Sequence, residues 1–360
     1  ILWGLLKSTN IHIFFAHRTF SWRNEAKGNA SVHCVIIGFT SSKIDNCRLW
    51  DYGDIKGEAS EIKCKQINAY LIDADPILIE RRRIPISDSA DIVFGSMAND
   101  GGNLFLTSDE RNELIKKDPS TKEYIRRFLG AREFLNNQER YCLWLKDCSP
   151  HDLNKMKDIK SRVGKVQQYR LSSKRAATKR LAGQASLFGE IRQPISSYLL
   201  VPRHSSERRT YIPIGYVLPS VICGDANLLI PNASKYEFGI LMSTMHMAWT
   251  DTICGRIKND YRYSAEVVYN NFPWPSPVSA KQKQNVELKA QAVLSARDLY
   301  PDSTLADLYD PLIMPPLLLK AHKSLDSAVD QTYRKKKFKT DLERVVFLFD
   351  LHQKFTSLLP

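Results

Sequence analysis

The chain has 360 residues, enough for two or three domains, because a single hydrophobic core rarely grows past about 250 residues. Its 43% hydrophobic, 10% aromatic and 25% charged residues exclude wholesale disorder and describe a chain able to bury a sizeable core. Fifty-two Lys and Arg against 39 Asp and Glu give a formal charge of +13, which points to a polyanionic partner, nucleic acid first, since clustered cations gain free energy by releasing phosphate counterions.

Seven cysteines, at 34, 47, 64, 142, 148, 223 and 254, are odd in number and show no paired C-x2-C spacing. No zinc site or disulfide framework is readable, and a reducing, cytoplasmic setting is expected. No run of 18 apolar residues is present, so no membrane span is expected. Ile1 opens the chain without an initiator methionine, and Ile1-Leu2-Trp3 has no charged segment before it, so the chain reads as a piece of a longer protein.

In chain order, Ile11 to Phe15 and Val32 to Phe39 are apolar, β-branched runs separated by the polar stretch from Arg23 to Asn29. They predict two neighbouring strands joined by a long loop, the second nearly continuous in apolar residues, as a strand buried on both faces would be. Residues 1–42 are too few to complete such a sheet, so its other strands are expected upstream. Residues 43–271 are mixed, with strand-like runs at Tyr141 to Leu145 and Tyr198 to Val201 and helices between. Thr107 and Glu110 have capping-box spacing, and Asp118-Pro119 ends that helix. Further helices are predicted over His151 to Leu181 and Lys235 to Ile257, with loops at Asn99 to Asn103 and Cys223 to Asn227. Three alternate prolines in Phe272-Pro273-Trp274-Pro275-Ser276-Pro277 make residues 272–277 a stiff connector. Residues 278–360 then form a small all-α domain, with helices over Ser279 to Leu299 and Leu318 to Phe355. The fold class is α+β without a βαβ rhythm.

The strongest chemical signal is electrostatic. Lys155, Lys157, Lys160, Arg162, Lys165, Arg170, Lys174, Arg175, Lys179 and Arg180 stand against the single Asp158. A solvated helix face is the competing reading. The run also carries Gln167, Gln168, Tyr169, Ser172 and Ser173, which suit bases or phosphates: arginine reads guanine bidentately and glutamine reads adenine. A second cluster, Arg203-His204-Ser205-Ser206-Glu207-Arg208-Arg209, is placed on a loop between strands, where Glu207 either neutralises its neighbours or accepts from cytosine N4. Arg256, Lys258, Tyr261, Arg262 and Tyr263 form a third set, read as phosphate clamps. Arg81 to Arg83 and Arg334 to Lys337 are read as surface charge.

Phe20 and Trp22 are core aromatics on the plain reading. On the sharper one, one of them stacks on a base rotated out of a duplex. No Gly-rich nucleotide turn, no G-x4-GK[ST] loop and no Asn/Asp-Pro-Pro-aromatic tetrapeptide is present. Asp51, Asp54, Glu61 and Lys63 fit a loose magnesium-nuclease pattern, which arises by chance in most chains this long.

Several stretches resemble the Mme-type single-chain restriction–modification enzymes (types IIL and IIG). They are His17-Arg18-Thr19-Phe20, Trp22, Asn24 to Ala30 and Val35 to Phe39, then Asp100 to Leu104, Arg140 to Leu145, Tyr211 to Gly215, Phe272 to Pro275, and Ala321 to Asp330. The resemblance implies the end of a methyltransferase domain over 1–42, a target-recognition domain over 43–271 and a closing helical domain over 278–360. It implies a parent DNA adenine-N6 methyltransferase using S-adenosylmethionine, with no cofactor or metal bound by this stretch and no methylation by it alone. Phe20 or Trp22 would support the flipped adenine. Lys165, Gln168, Arg170, Ser173, Lys174, Arg175, Lys179, Arg180, Arg203, Glu207, Arg208, Arg209, Arg256, Lys258, Arg262 and Tyr263 would contact DNA. The expected partners are duplex DNA and the missing methyltransferase domain of the same chain. The alternatives are a nuclease fragment using Asp54, Glu61 and Lys63, and a scaffold for RNA or an acidic protein.

Overall fold

The structure is a computed structural model that describes residues 9–22, 32–42 and 44–357. The loop expected over residues 23–29 lies outside the described residues. Contacts divide the chain into two compact units, one formed by the residues up to Arg82 with those from Thr340 onward, the other by Arg83–Lys339. Among the described residues no helix is long and apolar enough to cross a membrane.

The first unit is built on a four-stranded sheet of order β2-β1-β3-β4, with β1 at His12–Trp22, β2 at Val32–Thr40, β3 at Cys47–Asp51 and β4 at Ser60–Cys64. The two expected strands are neighbours, and β1 and β2 are antiparallel. The sheet continues past residue 42, because β3 joins β1 in parallel and β4 closes on β3. Ile13, Ala16, Cys47, Leu49, Cys64 and Ile67 form the core of this unit. Among the described residues β2 is the edge strand of this sheet, with Val32 and Val35 each 50% exposed; burial on both faces was expected of a larger sheet, whose further strands are expected upstream. The final helix, Asp341–Ser357, belongs to this unit: Phe349 lies 5.3 Å from the Tyr70 ring, and Gln353 donates to the Pro76 carbonyl.

The second unit contains two four-stranded sheets and one of three strands. The first has order β12-β7-β8-β6, from Ile222–Cys223, Ile125–Leu129, Tyr141–Leu143 and Phe105–Leu106. The second has order β11-β9-β13-β5, from Gly215–Val217, Tyr198–Pro202, Asn227–Pro231 and Val93–Phe94. The β9 strand lies between two partners and is buried at every position, which explains its unbroken apolar run. Helix α1 (Ser108–Lys117) starts at the Thr107–Glu110 capping box and stops at Asp118, as its sequence predicts. The helix expected over 151–181 is three pieces, α3 (Pro150–Lys155), α4 (Lys157–Ser172) and α5 (Ala176–Arg180), with α2 (Ala131–Asn136) preceding them. Ser173, whose hydroxyl accepts from the Arg175 amide, marks the second break.

The helix expected over 235–257 is likewise α6 (Lys235–Leu241) and α7 (Thr244–Ile253), with a strand after it. The proline-rich segment is no free spacer. Pro273 and Pro275 are buried with Phe272 and Trp274, Ser87 bonds both the Phe272 carbonyl and the Trp274 amide, and Tyr333 donates to the Pro273 carbonyl. Beyond it come α8 (Ala280–Asp298), α9 (Leu305–Leu308) and α10 (Pro316–Tyr333). Of these, α8 and α10 meet α6 at Gly239, where an added Cβ would lie 2.7 Å from Val286 and 3.3 Å from Ala290 and Leu325, so glycine lets these three helices close.

Candidate nucleic-acid interface

Helix α4 has an inner stripe at Ile159, Val163, Val166 and Arg170, spacings of four, three and four that fall on one helical face. The stripe packs Ile159 and Val166 into the core with Leu104, Leu106 and Phe188. Arg170 occupies the last position of that stripe and is wholly buried. Its guanidinium donates to the carbonyls of Asn99, Ala98, Leu181, Gln184 and Leu187 at 2.7 to 2.9 Å. It therefore ties the loop at Asn99–Asn103 to the segment after α5, and it offers no surface to a ligand. Burial pushes its pKa down from the ordinary arginine value. Arg162 is also committed, to Glu110 at 2.6 Å and to the Asn103 and Phe105 carbonyls.

The outer face of α4 and α5 is different. Lys165, Gln168, Lys174, Arg175, Lys179 and Arg180 are exposed, and among the described residues no carboxylate pairs with these five cations. Tyr169 is 47% exposed and lies flat against the turn at Gly101, where a Cβ would approach the ring to 2.7 Å; Gly101 and Gly102 have φ of +63° and +87°.

The second and third basic clusters, 47 residues apart in the chain, come together in one small sheet. Its order is β10-β15-β14, from His204–Ser205, Asp260–Arg262 and Gly255–Ile257. Register sets His204 and Gly255 on either side of Arg262, and Ser205 and Arg256 on either side of Tyr261. Side chains alternate across a strand, so His204 and Arg262 share the outer face while Tyr261 points inward. Gly255 contributes nothing to cover Arg262, since a Cβ there would meet no atom within 4 Å. Lys258 sits at the hairpin tip with φ of +56°.

The members of this group fall into two kinds. Arg208, Lys258 and Arg262 are exposed, as is Glu207, and no ion pair engages them among the described residues. The Glu207 amide reaches Asp260 at 3.4 Å, and among the described residues its carboxylate makes no ion pair. Arg203 instead braces the fold, donating to the Asp225 carbonyl and lying 4.8 Å over the Phe94 ring; burial, then the Arg262 charge, pushes its pKa down. Arg209 is half-buried beside Ser205, and burial lowers its pKa too. Arg256 is held by Asp251 at 2.7 Å and stacks over Tyr261. Tyr263 is 2% exposed and bonds His246 beneath the sheet, so, like Arg170, it cannot serve as a surface contact. His204, exposed beside Arg262, belongs to the surface; its pKa is pushed down by burial and then by Arg203 and Arg262.

In the first unit, register places His17 opposite Trp50, and their rings stack at 4.5 Å and 3°. Phe20 stacks on Tyr52 at 5.1 Å, and Tyr52 bonds the His17 imidazole at 2.9 Å. Trp22 is 53% exposed and lies 6.1 Å from Phe20; the two, with Ser21 and Lys56, line a shallow cavity of about 350 Å³. Tyr52 and Trp50 were missed by sequence reasoning, because their partners lie about thirty residues earlier in the chain. The acidic residues considered for a nuclease do not converge. Glu61 is clasped by Arg48 at 2.8 and 3.0 Å, which pulls its pKa down, Asp51 pairs with Arg18 at 3.2 Å, and Asp54 caps the Lys56 amide.

The chain matches three models of one family in order: the MmeI DNA-methyltransferase domain over residues 1–51, the MmeI target recognition domain over 73–276 and the MmeI C-terminal domain over 278–360. DNA methyltransferase A of Bacillus subtilis (strain 168) is 38% identical over 361 residues, covering 99% of this chain and 40% of that protein. A solved structure of the type IIL restriction–modification enzyme MmeI in complex with DNA matches with a TM-score of 0.92 and 46% identity, over 99% of this chain and 48% of that one. The chain thus spans less than half the length of either relative. With the target-recognition model covering more than half of its residues and the other two flanking it, this chain belongs to the MmeI family.

Proposed function

We propose that residues 43–271 read the base sequence of duplex DNA and select the site at which a methyltransferase domain of the same polypeptide methylates adenine at N6. The observation that carries this reading is the β10-β15-β14 sheet, which sets His204 beside Arg262 and carries Lys258 at its hairpin tip, with the exposed Glu207 and Arg208 following β10 and the Glu207 amide on Asp260. Cations anchor phosphates, whereas an exposed acid among them costs affinity for a polyanion unless it accepts from a base edge such as cytosine N4. The exposed face of α4 and α5 supplies the second basic surface, through Lys165, Lys174, Arg175, Lys179 and Arg180 with Gln168. A relative solved in complex with DNA and another named as a DNA methyltransferase support the same reading.

Phe20, backed by Tyr52, and the open ring of Trp22 form the aromatic wall against which an extruded base would stack. S-adenosylmethionine is the methyl donor expected for the parent enzyme. The residues present do not fit it: among those described, no strand from β1 to β4 runs into a helix, so this stretch has no strand-to-helix turn to cradle a nucleoside. The cofactor and the catalytic step therefore belong to the rest of the methyltransferase domain.

Selection of a randomised duplex pool on the purified chain tests the assignment. Enrichment of one short motif is the expected result. Duplex binding with no motif enriched would assign specificity elsewhere, and absence of binding at low salt would reject the reading.

A further inference from the structure

We propose that the groove between α8 and α10 is a second phosphate-binding site, one that holds the DNA backbone outside the sequence being read. The proposal rests on the DNA-reading assignment above. The groove, of about 430 Å³, is lined by Asn285 and Lys289 from α8 and by Lys320, Lys323, Ser327 and Gln331 from α10, and no carboxylate lines it. Among the described residues no acid pairs with these three lysines, whereas Arg162, Arg256 and Arg344 are each matched to a neighbouring carboxylate. Three ammonium groups from two helices thus face one concave surface together with the amides of Asn285 and Gln331. Ser324, also in the lining, spends its hydroxyl proton on the Lys320 carbonyl at 3.1 Å and adds no donor.

The chemistry is that of a phosphodiester backbone, not of a base edge. Lysine is a compact, strongly hydrated charge on a flexible stem, suited to phosphate at variable geometry, and the lining has no arginine fork for a guanine edge. Its extent favours a polymer over a single phosphate. Eleven residues separate Lys320 from Gln331, about 16 Å at a rise of 1.5 Å per residue. Phosphates of one DNA strand recur about every 3.4 Å along the axis, so the row reaches several. The groove also lies in the compact unit that carries the reading sheet, and α8 and α10 are tied to the segment before β11. Arg297 donates to the Ile214 carbonyl, and Asp326 accepts from Tyr211 at 2.7 Å.

The test compares the full chain with its Lys289→Ala/Lys320→Ala/Lys323→Ala variant on two duplexes, one ending at the selected motif and one extended well beyond it on both sides. Alanine favours helix, so the variant should keep the wild-type melting temperature; a Lys→Gln triple, which retains side-chain bulk, provides the second readout. On the long duplex the slope of log K against log salt should fall by about two to three units, near 0.9 per lost phosphate contact, with no change on the short duplex or in the selected motif. An unchanged slope on the long duplex, with the motif still selected, overturns the clamp and leaves the reading function standing. A wild-type chain that binds DNA but selects no motif removes the reading function and, with it, the clamp as stated. Failure of the wild-type chain to bind either duplex overturns both.

Discussion

Arg170 shows how one residue's role changes between a charge count and a folded chain. It lies in the most basic stretch of the sequence, yet it sits on the inward stripe of α4 and donates to five carbonyls. Removing it takes a buried donor from all five, although the Ala98 and Gln184 carbonyls keep amide donors from Gly189 and Leu187, so Arg170→Met should cost about 3 kcal/mol of stability, whereas Arg175→Met, at an exposed position, should cost about 0.5 kcal/mol or less. Urea midpoints check both, and equal effects would refute the staple. Glu207 makes the opposite case. Its carboxylate is unpaired, so Glu207→Lys replaces an acceptor for cytosine with a donor for guanine, and pool selection should return a changed base at one position. Lys179→Ala should instead weaken binding to every sequence about equally and lower the salt slope by about one unit. The sequence marked Arg170, Arg175 and Lys179 alike as members of one basic run. The 3.6-residue stripe of Ile159, Val163 and Val166 was the available signal that Arg170 differs.

At the scale of elements, local chemistry was legible wherever it acts within a few residues. The capping boxes at Thr107–Glu110 and Ser279–Gln282 open α1 and α8, and Asp118 ends α1. Breaks inside helices were not legible. Ser173 interrupts the run between α4 and α5 through a side-chain bond to the Arg175 amide, in a stretch whose composition still favours helix. Nor was the three-stranded sheet, because β10 and β15 are short and their pairing is non-local. The hairpin tip yields a prediction at this scale. Lys258 is held at φ of +56°, a conformation asparagine adopts more readily than lysine. Lys258→Asn should leave stability equal or raise it by a few tenths of a kcal/mol while weakening DNA binding without changing the motif. A melting curve and a titration on the selected duplex measure the two effects, and a fall in both would show that Lys258 braces the turn.

At the scale of the whole molecule, buried histidines set the response to acid. His246 and His322, in the second unit, have their pKa values pushed down to about 3 from the ordinary 6.5, by burial in both cases and then by Arg297 for His322. Below pH 6.5 the unfolded chain takes up a proton at each position, while the folded chain stays neutral until near pH 3. Their contribution is therefore complete above the unfolded value and declines as pH falls, by about 1.4 kcal/mol per pH unit for each histidine within that window. Asp326, whose carboxyl is raised by burial, works the other way, and buried His352, pushed down to about 4, adds to the histidine effect. Urea midpoints followed from neutrality to about pH 5 should fall, and His246→Gln should flatten the curve by one proton; a flat wild-type curve would contradict the neutral assignment. From its sequence alone the chain's family, its α+β class, the bounds of α1 and the start of α8, and the location of its excess charge were determined, since each depends on residue identity or on contacts a few positions apart. Only the tertiary structure decided that β3 and β4 extend the sheet of β1, that the last helix joins the first unit, that Arg170 is a staple, and that two distant basic clusters share one sheet. These depend on which segments pair across long stretches of chain, and a pattern of local spacing carries no information about the partner.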